Sequence, residues 1–404
     1  MYVRLQPVSW PQMESMSHEE RRSRLARRHY LAVAATDVTT VARDLIGLHS
    51  SDPTAVYLSC RARLPDFTVA DLETALYDHR TLLRLLGMRR TMFVVTPEVA
   101  AMMNAACTRS YLAPQRRRLV RYLEDQGVTS DGDAWLAAVE ARTLSALHRL
   151  GEATANELRE VVPELQAKLS FGEGKTWGGQ VGVSTRVLFL LATGNRIVRA
   201  RPRGSWISSQ YRWALFEDWY PEGLPELDVA RAQQELAERW LHAFGPGTLQ
   251  DLKWWTGWGI AATRRALEGI GAKEIALEGG ETGYVHPADG EGDTEQLGNW
   301  VALLPSLDPT VMGWKDRRWY VSEEAARGMF DRNGNAGATI WVDGRVVGGW
   351  AQASNGIVRT QLIEALDATT VDAIEREVQQ LERWLGDTRI TPRFRTPLEK
   401  RLLE

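Results

Sequence analysis

The sequence predicts an α+β protein: three tandem units, each a set of helices closed by a β-hairpin, then a small β-barrel or sheet and a terminal helix. Three observations predict this. Apolar residues recur at helical spacing in some stretches and alternate in others. Helix signals come in groups, and each group is followed by a strand pair bounded by turn residues. The 404 residues are 44% hydrophobic and 25% charged, an ordinary globular composition, and at roughly 150 residues per domain they allow two to four domains.

The first unit is placed at residues 17–125. Ser17-His-Glu-Glu20 is a capping-box pattern that opens a helix carrying Arg21 to Arg28. Thr36 to Gly47 and Val69 to Tyr77 read as further helices, and Leu85 to Val95, with Arg89 and Arg90, as a strand pair. The second unit, 130–220, parses best. Asp133 to Leu150 places Trp135, Leu136, Val139, Leu144 and Leu147 at helical spacing, and Gly151 stops it. Thr154 N-caps a short helix over Asn156 to Val161, which Pro163 ends. A third helix is expected from about Gly179 to Thr193. Arg196 to Arg201, a Pro-Arg-Gly-Ser turn and Trp206 to Tyr211 then give a hairpin. Three helices followed by a basic hairpin is the winged-helix plan.

The third unit, 225–290, repeats the plan. Leu227 to Phe244 is amphipathic, Thr248 caps a short helix over Leu249 to Trp255, Ala261 to Ile270 is the third helix, and Lys273 to Val285 the hairpin. The last region, 295–390, is strand-rich to residue 360, with turns at Asp331–Gly334 and Asp343-Gly344. It suggests a barrel or sheet, in which Asp308 and Asp343 take turn roles. An amphipathic helix, Val371 to Leu385, closes it.

The net charge of −3 excludes a polycation, and nearly all of the 49 basic residues are arginine. The charge is unevenly spread. Gly174 to Phe216 contains no Asp or Glu, yet holds Lys175, Arg186, Arg196, Arg199, Arg201, Arg203 and Arg212. That is the footprint expected for an anionic polymer. Gly271 to Gln296 is acidic, so the third hairpin is not expected to grip DNA. Arg116, Arg117, Arg118 and Arg121 read as a solvated helix face or as backbone contacts. Of the 16 tryptophans, all but two follow residue 170; wide cores explain them more simply than a stacking platform. Two cysteines, Cys60 and Cys107, and seven scattered histidines point to no structural metal, and no cofactor is expected. With no apolar run near the roughly 20 residues of a membrane span and no signal-peptide layout, the chain reads as cytoplasmic. Three copies form a clamp without dimerising, so a monomer is expected.

Gly47-Leu48-His49-Ser50-Ser51-Asp52-Pro53, Met88-Arg89-Arg90-Thr91, Gly245-Pro-Gly-Thr248 with Trp254-Trp255, Leu303-Leu-Pro-Ser-Leu-Asp-Pro309 and Asp343-Gly-Arg-Val-Val-Gly-Gly-Trp350 occur in an order that resembles one bacterial family. This is the tandem winged-helix DNA-binding proteins, which include the glycosylases similar to the azinomycin self-resistance enzyme and to the enzyme that unhooks interstrand crosslinks. The resemblance covers residues 18–390. It implies three winged helices around a concave double-stranded DNA-binding face, a C-terminal β-barrel, and metal-free excision of bulky alkylated purines. Glycosylases of this type carry Gln-x-Gln or Gln-x-Asp after the Gly-Leu. This chain has His49 and Ser51 there, followed at once by Asp52.

Hydrolysis of an N7- or N3-alkylated purine nucleoside begins from a cationic base, so the leaving group is already activated. The site must stabilise an oxocarbenium-like sugar and orient one water. In an extended segment His49 and Ser51 point the same way and hold that water between them, with neutral His49 as general base. Asp52 is the alternative base if a turn brings it into the site. The structural alternative makes Asp52 an N-cap with Pro53 at N1 of a helix over Thr54 to Arg63, and His49 a hydrogen-bonded core residue. Arg89, Arg90 and Thr91 on the first wing, and Arg186, Arg196, Arg199, Arg201 and Arg203 in the second unit, are the candidate DNA contacts. The leading function is thus a monofunctional DNA glycosylase for bulky or crosslinked alkylated purines. The rivals are a non-catalytic winged-helix DNA binder, shielding lesions or regulating genes, and a protein-interaction scaffold that has lost DNA contact.

Overall fold

A computed structural model of the chain describes residues 15–172, 178–289 and 298–404. Lys175, Glu291, Asp293 and Glu295, which entered the charge pattern, lie outside the described residues. The first helix, His18–Arg28, begins at the expected capping box: Ser17 accepts from the Glu20 N–H, and Glu20 accepts from the Ser17 N–H. Val38–Asp44, Pro53–Arg61 and Val69–Glu73 follow, the last running on into a π-helical turn, Thr74–Asp78. The strands Leu48–His49, Leu83–Leu86 and Met92–Val95 form one antiparallel sheet with Met92–Val95 in the centre. A helix, Pro97–Met103, and a longer one, Leu112–Asp125, lead onward.

The second unit keeps the same strand order. Glu152–Thr154 pairs with Tyr211–Leu215, which pairs with Ile197–Pro202. Its helices are Gly132–Leu150, Ala155–Val161 and Val183–Thr193, with Thr154 capping the second through a capping box. Two boundaries differ from expectation. Gly179–Gly182 is a strand paired with Lys168–Phe171, so the third helix starts only at Val183; the glycines at both ends of that tetrapeptide suit an extended ribbon better than a helix. The returning strand of the hairpin starts at Tyr211 rather than Trp206, because Trp206 is buried against Tyr57 and Trp384 instead of joining the ladder.

In the third unit the helices Val229–Phe244, Leu249–Thr256 and Ile260–Gly269 precede the hairpin Lys273–Leu277 and Thr282–Val285. Gly247 bridges to Tyr284 where the other units place their first strand. The strand Ser15–Met16 adds to the outer edge of this hairpin in parallel.

The C-terminal strands Val301–Leu304, Thr339–Val342, Arg345–Gln352 and Val358–Leu362 form an open antiparallel meander in chain order. The first and last strands do not pair, so the described residues make a sheet, one of the two expected forms, and not the barrel that the family resemblance implied. Asp343 and Gly344, both at positive φ, make its tight turn, with Asp343 also accepting from the Trp300 N–H. Helices Ala368–Leu385 and Pro397–Leu403 follow.

One apolar core joins the first unit, the third unit and the C-terminal sheet and takes in Val198, Ala200 and Ala214 of the second hairpin; the helices of the second unit pack around a core of their own, with Leu136, Leu147, Leu165, Val187 and Ile197 at its centre. Twelve of the tryptophans are buried or half-buried within the first core, among them Trp240, Trp314, Trp341 and Trp350. Cys60 and Cys107 are buried free thiols pushed up to about 12 by burial, hence inert. Among the described residues, no helix is long and apolar enough to cross a membrane.

Candidate active site and nucleic-acid interface

The sheet of the first unit positions the site. Directly opposed residues share a face, and His49 opposes Phe93, which opposes Leu85. Leu48 opposes Val94, which opposes Arg84. The imidazole and the guanidinium therefore lie on opposite faces. Gly47 holds φ +96, and a Cβ there would meet a Val95 methyl carbon at 2.6 Å, so the turn into the His49 strand requires glycine.

His49 is half-buried, its ring 5.3 Å from that of Phe93. Its Nδ1 accepts a long, 3.5 Å hydrogen bond from the Ser51 N–H, too weak to fix a tautomer. Burial, and secondarily the nearby Arg89 cation, lower its pKa to about 4, so the ring is neutral near pH 7. His49 lines a pocket of about 70 Å³ with Arg89, Thr91, Trp254, Trp255 and Asn335 among its walls; no Asp or Glu lines it. A water occupies about 30 Å³ in the liquid, so this pocket suits a few waters and is too small for a purine.

Arg89 leans on Trp254, its guanidinium 4.5 Å from the ring centre, and Arg317 approaches the same ring at 5.5 Å. Burial and the Arg317 charge both lower the Arg89 pKa. Arg89 and Arg90 sit at positive φ at the tip of the strand pair and are exposed. Thr91 closes this tip, its hydroxyl donating to the Met88 carbonyl at 2.7 Å.

Asp52 takes the structural alternative. It is 1% exposed and N-caps Pro53–Arg61, accepting from the Thr54 N–H at 2.9 Å and the Thr54 hydroxyl at 2.7 Å, while its other oxygen accepts from the Arg393 N–H at 2.8 Å. Both oxygens accept hydrogen bonds, and Asp52 does not line the His49 pocket. Ser51 is half-buried, and its carbonyl accepts from Arg393 at 3.3 Å.

Of the candidate DNA contacts, Arg196 and Arg203 are exposed, and Arg186 and Arg199 half-buried. Among the described residues, none of these four, nor Arg89 or Arg90, is paired with a carboxylate. Arg186 stacks on Phe171 at 5.2 Å. Arg199 lies 5.1 Å from Tyr211 and 5.3 Å from Trp213, its pKa lowered to about 10 by burial and by the charges of Arg84 and Arg393. Arg201 differs: it pairs with Glu73 at 2.5 Å and Asp78 at 3.4 Å and stacks on Tyr77. These partly exposed carboxylates already accompany its charge, which sets Arg201 apart from the other candidate DNA contacts. Arg116 is likewise paired, with Glu140 at 2.7 Å and Asp133 at 3.4 Å, whereas Arg117, Arg118 and Arg121 line a shallow surface hollow.

Sequence reasoning missed two buried arginines. Arg84 donates to the Ser50 hydroxyl behind the His49 strand and stacks 4.7 Å from Tyr211, with Nε unpartnered among the described residues. Arg63 forks onto Asp308 at 2.7 and 2.9 Å. Burial raises the Asp308 carboxyl, but Arg63 and the hydrogen bonds from Ser59 and Thr310 hold it below its ordinary value. An arginine inside a strand of leucines (Leu82, Leu83, Leu85, Leu86) was the available signal for Arg84. Among the described residues no group of three or more His, Cys, Asp or Glu is placed to hold a metal ion.

No curated protein sequence matches the chain. Among solved structures, the DNA glycosylase AlkZ of Streptomyces sahachiroi is similar, with a TM-score of 0.71 over 93% of this chain and 98% of that one at 18% identity, a likeness of fold. The family model for AlkZ-like DNA glycosylases matches residues 42–384. By that match, the chain belongs to the AlkZ-like DNA glycosylase family.

Proposed function

We propose that the protein is a monofunctional DNA glycosylase that grips duplex DNA with three tandem winged-helix units, acts as a monomer, and releases bulky or crosslinked alkylated purines. The observation that carries this reading is His49: an imidazole at a small pocket that no carboxylate lines and whose wall includes Arg89, which has no carboxylate partner among the described residues. In the proposed reaction a water oxygen bonds to C1′ of the sugar while the C1′–N bond breaks. The electron pair of that bond goes to the cationic purine, which departs neutral, and the water proton passes to His49. A site without a fixed carboxylate suits a leaving group that already carries positive charge. The small pocket favours a lesion held at its mouth over one swallowed whole. The repeated strand order and the arginines of the second hairpin support the winged-helix reading, and Arg89, Arg90, Arg186, Arg196, Arg199 and Arg203 are the phosphate contacts in it.

The test is base release from N7-alkylguanine and crosslinked duplexes by wild type and His49→Ala. Release by wild type, lost in the variant while duplex affinity persists, is expected. A specific observation favours the alternative of a non-catalytic DNA binder: Asp52 is used up as a helix cap, which leaves one candidate base. Wild type that binds duplex yet frees no base from any adduct would establish that alternative.

A further inference from the structure

The face of the first sheet opposite His49 carries Arg84, with Leu86 and Met92 opposed further along. Over Leu86 and Met92 opens a cleft of about 450 Å³, whose other wall is the second unit: Arg186, Arg199, Arg203, Tyr211 and Trp213. Pockets for small organic ligands span about 300–1,000 Å³. No Asp or Glu lines this one. Two of its arginines, Arg199 and Arg186, lie on aromatic rings with no carboxylate partner among the described residues. Arg199 lies against Tyr211 and Trp213 with its Nε unpartnered, and Arg186 lies against Phe171. Stacking fixes a guanidinium by its flat face and leaves its N–H edge free for phosphate oxygens. Leu86, Met92 and Phe189 add an apolar lining.

The ligand chemistry this calls for is a flat, partly apolar ring system attached to an anion. Within a stacked duplex each base has its faces covered by its neighbours, so only an unpaired nucleotide offers a free ring face to aromatic walls. We propose that this cleft is a second nucleotide site, taking one unpaired nucleotide of the bound DNA with its base between the aromatic and apolar walls and its phosphate on Arg186 and Arg203. The idea rests on the DNA-binding part of the function proposed above but not on the hydrolysis. Because the cleft and the His49 pocket lie on opposite faces of one sheet, its occupant is not the nucleoside cleaved at His49. It is a nucleotide displaced beside or across from the lesion.

The experiment compares two labelled duplexes of equal length and flanking sequence, one fully paired and one with a single-nucleotide bulge, by fluorescence anisotropy at three salt concentrations. Wild type is expected to bind the bulged duplex about tenfold more tightly, a preference of a size that one stacked base supplies. Trp213→Ala and the exposed Arg203→Ala should each erase most of that preference, with circular dichroism confirming that both are folded. Arg90→Ala, outside the cleft, should weaken both duplexes equally. His49→Ala should retain the preference, so loss of base release with the preference intact would remove the hydrolase reading alone. Equal wild-type affinity for the two duplexes, or a preference that survives in both Trp213→Ala and Arg203→Ala, would overturn the second site.

Discussion

Arg63 and Arg84 are both 2% exposed and both join the first unit to another part of the chain. They are held in opposite ways. Arg63 faces the C-terminal region and meets Asp308 through two short bonds, with Thr310, Ser59 and the His29 carbonyl completing its shell. Arg84 faces the second unit and has a serine hydroxyl and tyrosine rings, but no carboxylate partner among the described residues. A buried cation with its counter-ion is a clamp whose loss strands the partner charge. A buried cation without one has a different use here: it pins Ser50, and so the strand carrying His49, from behind. One region is built to stay closed; the other is built to hold a segment in register while leaving positive potential unspent.

The largest effect expected from this contrast is at the clamp. Arg63→Met leaves the Asp308 carboxylate buried and unpaired and should lower stability by about 3–5 kcal/mol in urea unfolding. Arg84→Met strands no opposite charge, so its cost should be smaller, about 1–3 kcal/mol. It should instead slow base release by roughly 10- to 100-fold through displacement of His49, with kcat falling more than KM changes. Ser50→Ala should reproduce part of that loss and add nothing to Arg84→Met. The comparison breaks if Arg84→Met is as unstable as Arg63→Met, or if its kcat is untouched.

A pH series sharpens the clamp side. His29 is buried beside Arg63, bonded to Thr310 and the Ala243 carbonyl, with its pKa lowered to about 3 by burial first and Arg63 second. Its folded value lies below the unfolded value near 6.5, so unfolding takes up a proton between those limits. The stability it leaves intact above pH 6.5 is lost as pH falls toward 3, at about 1.4 kcal/mol per pH unit. His49 acts in the same direction, less strongly because its ring is only half-buried. Urea midpoints at pH 7, 5.5 and 4.5 should therefore decline, and the decline should flatten in His29→Asn; an unchanged slope in that variant would place the protons elsewhere.

The smallest effects are at the surface. Arg90→Ala should reduce the slope of log affinity against log salt by about 0.9, one phosphate's worth. Arg201→Ala should leave that slope unchanged, since its charge is already neutralised by Glu73 and Asp78.

Much of the fold was legible because its signals are local. The capping boxes at Ser17, Thr154 and Thr248, and the stop at Gly151, each lie within a turn of the boundary they mark. The departures are tertiary. Trp206 obeys the hairpin pattern, yet burial against Tyr57 and Trp384 takes it out of the ladder. Whether four strands close into a barrel depends on edge pairing, which alternation does not encode. In the site, His49 and Arg89 were named from the chain and share a pocket. The capping role of Asp52 was legible beside Pro53, but its Arg393 amide partner and the Glu73 partner of Arg201 were hidden, lying 341 and 128 residues away. Arg84 had a local signal, its place among four leucines, but its Ser50 partner lies just beyond another strand, Leu48–His49.

The parity of the strand at Leu48–His49 makes the chemistry hostage to chain length. A single residue inserted between Gly47 and Leu48 would turn every following side chain over. The hydroxyl now gripped by Arg84 would be aimed at the recess that His49 lines, and the imidazole would be driven onto a guanidinium. Such an insertion is a one-codon change that leaves composition almost untouched, and it should abolish the proposed base release more thoroughly than deleting any one exposed arginine.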